Sequence, residues 1–291
     1  MKKILLTGAS GFIGSRFQEQ YANLYQIVPF SLQTGGVEDI DFADIDAIVH
    51  LAGIAHRMEP TPDELYYRIN HGLTIKLATA ARGGGVRHFV FMSTIKVYGE
   101  IKEEEEAITE KTDCQPSDAY GESKRRAEVD LRNLEATNFR VAIVRTPVVY
   151  GPGVKGNIKR IMELANRPIP LPFGKIENAR SMVALDNLLA LLERILNTNA
   201  SGTFLPTDPS PLSTTHLVSS IRKELGHRPK LVALPLPFRW LFKRIKPQLY
   251  TRLFGSLRIE GQSTNQALEF SPPFTTDQGI KTMVQWYKST L

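Results

Sequence analysis

A tyrosine and a lysine four positions apart, Tyr120 and Lys124, are the side chains in this sequence best suited to proton chemistry. On a helix this spacing places both on one face, so the ammonium can lie beside the phenol. A neighbouring positive charge favours the phenolate and should lower the pKa of the tyrosine from about 10 toward neutral pH. The pair predicts a group that exchanges a proton with a sugar hydroxyl or a ketone.

A glycine-rich turn near the amino terminus is the second candidate for chemistry. Residues 7–14 read TGASGFIG and follow a short apolar run. Gly8 permits a tight turn, Gly11 lets the backbone approach a pyrophosphate, and Gly14 lets a helix pack closely on a strand. Alone, such a turn also fits an ordinary strand-to-helix connection. Its combination with the downstream YxxxK pair favours a dinucleotide-binding enzyme.

Alternating strand and helix patterns in the first half of the chain must position these residues. The predicted strands are residues 2–6, 25–30, 47–51, 88–92 and 140–144, and the predicted helices are residues 12–23, 63–81 and 119–136. This alternation is typical of parallel strands joined by crossover helices. The sequence therefore predicts an α/β fold with a Rossmann-type, doubly wound parallel sheet.

The carboxyl edge of such a sheet is where ligands bind. Gly8, Ser93, Thr94 and Pro147 each follow a predicted strand, and His50 lies near the end of one, so we expect them to converge on that edge.

The second half of the chain holds most of the prolines and connects its elements through segments that contain Pro and Gly, with shorter helices predicted at residues 157–166, 186–196 and 214–225. We expect a smaller, irregular C-terminal lobe that binds substrate. The predicted dinucleotide-binding domain is residues 1–152, with 181–197 returning to it, and the predicted substrate lobe is residues 153–180 and 198–291.

Composition narrows the function classes. Hydrophobic residues make up 42% of the chain and charged residues 23%, as in ordinary globular proteins. The single cysteine, Cys114, excludes an internal disulfide framework and fits a reducing compartment. No apolar run approaches the roughly 20 residues of a membrane span. We therefore expect a cytoplasmic protein without stable membrane insertion, and we expect no metal site.

The formal net charge of +6 suits an anionic substrate such as a nucleotide diphosphate. We expect no nucleic acid partner, because no dense Lys/Arg run is interleaved with aromatic residues. Residues 235–258 are basic and aromatic and could touch an anionic membrane. Their prolines and short apolar stretches favour a surface helix of the substrate lobe instead.

Further segments carry a resemblance to a known family. They are HLAG at 50–53, FMSTIKVYGE at 91–100, VYGPG at 149–153, LPFG at 171–174, NARS at 178–181 and GSL at 255–257. Over nearly its whole length, the chain resembles an extended short-chain dehydrogenase/reductase of the nucleotide-sugar epimerase/dehydratase family. It is similar to the subgroup that acts on C4 of UDP-linked N-acetylhexosamines in bacterial surface-polysaccharide pathways.

The resemblance implies a catalytic set of Thr94, Tyr120 and Lys124. Thr94 would hydrogen-bond the reacting oxygen and share its proton with Tyr120, although it could merely cap a strand end. Lys124 would also bind the ribose of the nicotinamide. The implied cofactor-binding residues are Gly8, Ser10, Gly11, Phe12, Ile13, Gly14, Asp41, Phe42, Leu51, Ala52, Gly53, Ser93, Tyr120, Lys124 and Pro147. Among these, Asp41 and Phe42 would contact adenine, and Ser93 would line the nicotinamide pocket.

On the substrate side, the resemblance implies Thr94, Asn157, Arg180 and Arg252. The two arginines would bind the diphosphate of a UDP-sugar, where a planar guanidinium suits bidentate recognition, and Asn157 would contact uracil or ribose. Either arginine could instead be a surface residue. His56 and Arg57 could reach the cofactor or the sugar, but we interpret them as solvated loop residues.

Three departures from the family pattern limit what the resemblance implies. Val148 stands where many members have an Asn that contacts substrate. The second strand ends at Ser31 without the acidic residue that accepts from the adenosine ribose, so NAD is expected from the family while NADP stays open. Ile95 and Lys96 replace the Asp-Glu pair of sugar dehydratases, which argues against dehydration.

Together with these residues, the resemblance implies an NAD(P)-dependent oxidoreductase acting on C4 of a UDP-linked (N-acetyl)hexose. Two forms are open: a 4-ketoreductase of a UDP-4-keto-6-deoxy sugar, slightly favoured, and a nucleotide-sugar 4-epimerase. Alternatives are a non-catalytic dinucleotide-binding regulator and a reductase of a different small carbonyl. We also expect a homodimer formed through residues 63–81 and 119–136.

Overall fold

The protein is described by a computed structural model that covers residues 1–54, 61–100 and 107–291, so His56 and Arg57 lie outside the described residues. The strands are β1 Lys3–Thr7, β2 Gln26–Phe30, β3 Ala47–His50, β4 His88–Thr94, β5 Arg140–Thr146, β6 Val148–Tyr150, β7 Leu171–Gly174, β8 Met182–Ala184, β9 Gly202–Phe204 and β10 Leu231–Ala233. The helices are α1 Phe12–Tyr21, α2 Asp63–Tyr66, α3 Thr74–Gly83, α4 Ala119–Leu134, α5 Gly156–Ala165, α6 Leu185–Thr198, α7 Thr214–Glu224, α8 Leu236–Ile245, α9 Pro247–Phe254, α10 Gln262–Ala267 and α11 Thr276–Ser289.

The main sheet has six strands in the order β2-β1-β3-β4-β5-β9, and every pairing in it is parallel. The chain winds outward in both directions from β1, so the switch point lies between β1 and β3, where an open sheet binds its ligand. The predicted doubly wound sheet is thereby confirmed.

Several strands extend beyond their predicted carboxyl ends, because polar residues continue them. Thr7 ends β1 and is fully buried beside His50, and Ser93 and Arg145 pair across β4 and β5. These polar side chains find buried partners, which removes the usual penalty for burying them.

Helices cover both faces of this sheet. On one face, α1 and α6 pack into a core that includes Ile4, Leu6, Val90 and Leu188. On the other face, α3 and α4 form a second core with Leu5 and Phe91. Helix α6 thereby returns the chain to the main sheet after β6, α5, β7 and β8.

The predicted helix at residues 63–81 contains a π-helical segment, Tyr67–Leu73, between α2 and α3. Within it the Asn70 carbonyl accepts a hydrogen bond from the Thr74 hydroxyl at 2.9 Å. In a π-helical segment the backbone hydrogen bonds join residues five apart, one more than in an α-helix, and such segments are frequent at functional sites. Here the segment aims the Asn70 side chain at the neighbouring loop.

The C-terminal lobe is built on two small parallel sheets, β6 with β8 and β7 with β10. Its core joins residues of α5, α7 and α11, among them Met162, Ile221 and Met283. The expected lobe boundary needs a correction, since β9 pairs with β5 in the main sheet although it lies within residues 198–291. Buried Phe204 explains this, because it completes the core beneath α6. Among the described residues, no helix combines the length and apolar character needed to cross a membrane.

Candidate active site

The three predicted catalytic residues meet at the carboxyl end of β4. Tyr120 is the second residue of α4, and its phenol hydrogen-bonds the hydroxyl of Thr94, the last residue of β4. One turn further along α4, Lys124 Nζ donates to the Met92 carbonyl at 2.9 Å. The structure therefore brings the phenol, the threonine hydroxyl and the lysine to one place at the binding edge of the sheet.

The start of α4 is anchored so that Tyr120 has a defined position. Asp118 caps the helix, because its carboxylate accepts a hydrogen bond from the Gly121 amide at 2.7 Å. The same carboxylate forms an ion pair with Lys96, which follows β4. A Cβ on Gly121 would lie 2.6 Å from the Lys96 carbonyl oxygen, so only glycine allows this close approach.

Burial controls the acidity of both candidate catalytic side chains, Tyr120 and Lys124. It raises the pKa of Tyr120 to about 12, although the hydrogen bond from Thr94 acts in the opposite direction. Burial also lowers the pKa of Lys124 to about 8, opposed by the negative charge of Glu128. The expectation that the ammonium lowers the tyrosine pKa toward neutrality was wrong for the protein alone, because withdrawing the phenolate from water costs more. At neutral pH Tyr120 is a phenol that can donate its proton.

A buried ion pair supports this site from below, and sequence reasoning missed it. Glu128 is fully buried, and its Oε2 lies 2.6 Å from Nη2 of Arg145, which is 2% exposed. Arg145 also donates to the Tyr98 hydroxyl at 2.7 Å. The available signal was the spacing of Glu128, which follows Lys124 by four residues and so shares its helix face.

Ser93 belongs to this support. Its hydroxyl donates to Glu128 Oε1 at 2.5 Å, on the face of the sheet that α4 covers, and its place in the nicotinamide pocket stays a prediction. The orientation of the hydroxyl follows from the alternation of side chains along β4, since Ser93 shares the α4 face with Phe91.

Asn70 is a second residue that the sequence interpretation missed. Its Oδ1 accepts from the Ile54 amide at 2.8 Å, and its Nδ2 donates to the Ile54 carbonyl at 3.0 Å and to the Ser123 hydroxyl at 3.2 Å. A Cβ on Gly53 would lie 2.9 Å from Asn70 Oδ1 and 3.3 Å from Lys124 Nζ. Asn70 therefore ties the loop after β3 to α4. A lone Asn on the apolar side of a helical pattern was the available signal.

His50 completes the polar contacts at the end of β3. Its Nδ1 lies 2.6 Å from the Thr7 hydroxyl and its Nε2 lies 2.9 Å from the Thr74 hydroxyl. Because Thr74 donates to the Asn70 carbonyl, it accepts from His50, which places the proton on Nε2. Burial lowers the pKa of His50 to about 3, so the ring is neutral and joins β1 to the start of α3.

The glycine turn forms a backbone cradle that fits a dinucleotide. Gly8 has φ +76°, and a Cβ there would lie 2.7 Å from the Ala52 amide nitrogen. A Cβ on Gly14 would lie 2.2 Å from the Gly8 carbonyl oxygen. Gly11 is the N-cap of α1, and within the described part of the chain no side chain caps that end. The first amides of α1 are therefore available to an anion, as a pyrophosphate requires.

Several of the residues predicted to bind the cofactor lie next to the glycine turn or at the same edge of the sheet. Phe12 and Ile13 are the first residues of α1, and the Phe12 ring lies 3.5 Å from a Cβ built on Gly153. Ser10 is exposed on the turn, and Pro147 is buried between β5 and β6. Leu51 and Ala52 pass directly against Gly8, and Gly53 follows them beside Asn70 and Lys124.

Asp41 and Phe42 are not brought to this edge, which corrects their predicted contact with adenine. The Phe42 side chain packs on Gly84, which precedes β4 and therefore lies at the amino end of the sheet. Only residues 31–46 connect β2 to β3, so the chain must cross back to the amino edge within this segment. Asp41 and Phe42 lie at the end of that return.

Two guanidinium groups come together on the substrate side. Arg180 Nη1 donates to the carbonyl of Gly255 at 2.8 Å, beside α9, which carries Arg252 in its last turn. Burial lowers the pKa of Arg180, and the charge of Arg252 lowers it further, so the two cations lie near each other. Asn178, which sequence reasoning missed, holds the same loop by donating to the Gly255 carbonyl at 3.0 Å. Asn157 is exposed near the start of α5.

A glycine cradle beside a tyrosine, threonine and lysine at the edge of a doubly wound parallel sheet defines an enzyme of the short-chain dehydrogenase/reductase class. The family model "NAD dependent epimerase/dehydratase family" matches residues 4–203, and the chain belongs to that family. Its cofactor is NAD, which the residues of the cradle would hold.

Relatives cover nearly the whole chain. A UDP-glucose 4-epimerase from Vibrio cholerae is 32% identical over 311 residues, spanning 98% of this chain and 95% of that protein. The N-acetyl-alpha-D-glucosaminyl-diphospho-ditrans,octacis-undecaprenol 4-epimerase from Escherichia coli O157:H7 is 26% identical, spanning 97% and 94%. The crystal structure of a Bacillus cereus UDP-glucuronic acid 4-epimerase in complex with NAD shares the fold, with a TM-score of 0.77 and 20% identity over 99% of each chain. The predicted family, fold, enzyme class and cofactor are confirmed.

Proposed function

We propose that this protein is an NAD-dependent 4-epimerase of a diphosphate-linked hexose, with a UDP-linked sugar as its substrate. The observation that carries the proposal is that the C-terminal lobe brings two guanidinium groups, those of Arg180 and Arg252, close together. The same chain joins the Thr94 and Tyr120 hydroxyls at the binding edge of the main sheet. The relatives named as epimerases favour this activity over the ketoreductase, which the resemblance of the sequence slightly favoured.

The chain's own groups supply the proton chemistry at the C4 oxygen. NAD, when bound, supplies the hydride acceptor and donor for C4. Tyr120 exchanges the proton of the C4 hydroxyl, and Thr94 hydrogen-bonds the same oxygen and stabilises whichever form of the phenol results. Lys124, held by the Met92 carbonyl, keeps a positive charge near the phenol below pH 8. Epimerisation uses these groups twice, with the keto sugar turned over between the two steps.

Arg180 and Arg252 would bind the diphosphate group of the substrate, which is present in a UDP-sugar and in a sugar on a lipid diphosphate. One nitrogen of the Arg180 guanidinium, Nη1, donates to the Gly255 carbonyl. This hydrogen bond fixes the orientation of the guanidinium, so that its other N–H groups are already in place to bind an anion. A sugar on a lipid diphosphate is a second candidate substrate, because α9, which carries Arg252, directly follows a basic helix with exposed apolar side chains.

Product analysis tests the proposal. The protein with NAD should be incubated in turn with UDP-N-acetylglucosamine, UDP-N-acetylgalactosamine, UDP-glucose and undecaprenyl-diphospho-N-acetylglucosamine, with products followed by NMR. We expect inversion at C4 of a UDP-sugar without net consumption of cofactor. Net oxidation of NADH or NADPH by a UDP-4-keto-6-deoxy sugar, without epimerisation, would establish the ketoreductase. Cofactor binding without turnover of any of these would establish the regulator.

We also retain the homodimer as a proposal. The outer face of α4 carries Val129, which is 40% exposed, beside the π-helical segment that the same interface would include. Light scattering after gel filtration should give twice the mass of one chain, and a monomer at micromolar concentration would contradict it. A cytoplasmic location is likewise proposed, in keeping with the free thiol of Cys114.

A further inference from the structure

Helix α8 exposes its large apolar side chains instead of burying them. It contacts the body of the protein through the Phe242 ring, 6.1 Å from the rings of both Tyr250 and Phe254, and through Arg239, stacked 5.0 Å above Phe254. No residue of α8 is buried. The outward-facing apolar side chains are Leu236, Phe238, Trp240, Leu241 and Ile245, with Trp240 63% and Leu236 77% exposed.

The same region carries a concentrated positive charge. Residues 225–259 contain eight Lys or Arg residues and no Asp or Glu, whereas the rest of the chain has a net charge of −2. Three of these cations, Lys243, Arg244 and Lys246, lie at the exposed end of α8. The Arg244 guanidinium stacks 5.5 Å above the Trp240 ring. The exposed surface of α8 is therefore apolar, aromatic and basic at once.

This combination selects among partners. A second copy of the same surface would bring the two clusters of positive charge together, which opposes association. A nucleic acid would satisfy the cations but leave Leu236, Phe238 and Ile245 in water. An anionic bilayer satisfies both requirements, because lipid phosphates pair with Lys and Arg while Trp, Phe and Leu enter the interface between headgroups and acyl chains.

We propose that α8 docks this protein on the surface of an anionic lipid bilayer. Helix α9 follows α8 after a single residue, Lys246, so docking holds the Arg252 side of the substrate lobe close to the lipid headgroups. The inference does not depend on the proposed function, since it rests on surface chemistry and its test measures binding.

The fluorescence of Trp240 provides a direct test, because the chain has only two tryptophans, Trp240 and Trp286. In a Trp286→Phe variant of the full chain, the remaining tryptophan reports on α8 alone. Vesicles of phosphatidylcholine with phosphatidylglycerol should shift its emission to the blue, and vesicles of pure phosphatidylcholine should not. Added salt should weaken the effect, since the attraction is electrostatic.

Paired variants separate docking from nonspecific charge attraction. Lys243→Glu with Arg244→Glu should lower the vesicle-bound fraction about tenfold in co-sedimentation. The matched control is Lys281→Glu with Lys288→Glu, which makes the same charge change on exposed positions of α11 and should retain binding. Replacing Phe238, Trp240 and Ile245 with Ser should also abolish binding while turnover on a water-soluble UDP-sugar persists.

Three outcomes would overturn the proposal. One is an unshifted Trp240 emission with anionic vesicles. Another is equal loss of binding in the α8 and α11 charge variants, which would indicate attraction by net charge alone. The third is a wild-type protein that is a dimer and does not bind vesicles, and that the Phe238, Trp240 and Ile245 substitutions convert to a monomer. This result would assign the surface to a second copy of the chain.

Discussion

The catalytic side and the substrate side of the site are built differently. Thr94, Tyr120 and Lys124 stand on a strand end and a helix, above the fully buried Glu128–Arg145 pair. Arg180 and Arg252 lie in the irregular lobe, and Arg180 is held by hydrogen bonds to backbone carbonyls. Proton transfer needs atoms fixed to within a fraction of an ångström, which regular elements provide, whereas recognition of a diphosphate tolerates a more adaptable frame.

The Glu128–Arg145 ion pair that supports the catalytic side makes the stability of the protein sensitive to substitution there. Replacing a whole buried pair with apolar residues is often neutral, but removing one partner leaves a buried charge without compensation. Stability should therefore depend steeply on Glu128 and weakly on the substrate-side arginines. Catalysis should depend on both sides, but through different kinetic constants.

The largest effect is expected on the catalytic side from Tyr120→Phe. Loss of the phenolic proton should reduce kcat about a hundredfold to ten-thousandfold, because general acid–base catalysis contributes that much. The ring remains packed 6.1 Å from Tyr66, so NAD binding and the free energy of unfolding should change little. Tyr66→Phe is the matched control and should keep most of its turnover. Wild-type turnover in Tyr120→Phe would refute the assignment of the phenol.

Glu128→Gln should lower the free energy of unfolding by about 3 to 5 kcal/mol in urea denaturation, because the buried Arg145 loses its counter-charge. Glu122→Gln is the same change on the same helix, at a more exposed pair with Arg126, and should cost only about 0.3 to 0.5 kcal/mol. Equal effects of the two substitutions would show that the buried pair gives no special support.

Lys124 should make stability rise with pH. Its pKa is about 8 in the folded protein and 10.5 when unfolded, so between these values the unfolded chain binds more protons. The free energy of unfolding should increase by about 2 kcal/mol from pH 8 to 10, relative to Lys124→Met. Above pH 10 the raised pKa of Tyr120 acts in the opposite direction, since the unfolded tyrosine loses its proton first. Parallel pH profiles for the two proteins would contradict the burial of an ionisable Lys124.

Arg180→Lys should have the smallest effect and should act on the other kinetic constant. Loss of a planar, bidentate contact should raise KM about tenfold while kcat changes little. Arg194→Lys is the control, because Arg194 also donates to a backbone carbonyl, that of Leu268, outside the site. A fall in kcat with unchanged KM would move Arg180 into the catalytic set.

Much of the fold, and the meeting of the three candidate catalytic residues at one edge of the sheet, could be predicted from the sequence. The strands, the glycine turn and the Tyr120–Lys124 pair depend on spacing within one element, and spacing is visible in a sequence. Thr94 was also placed correctly, because a residue that ends a strand of a parallel sheet must lie at its binding edge. The predicted positions of Arg180 and Arg252 rested on resemblance, and the structure brings them together.

Other features were settled only when the elements packed against each other. The Ser93 hydroxyl turned toward Glu128, a residue from another element, and burial reversed the expected pKa of Tyr120. Because the segment between β2 and β3 is short, Phe42 lies at the amino edge of the sheet, opposite the binding edge. Local sequence determines which groups an element can offer and on which face. Which group each one meets, and how much water remains around it, follows from the packing of distant segments, because solvation and charge are properties of the assembled surroundings.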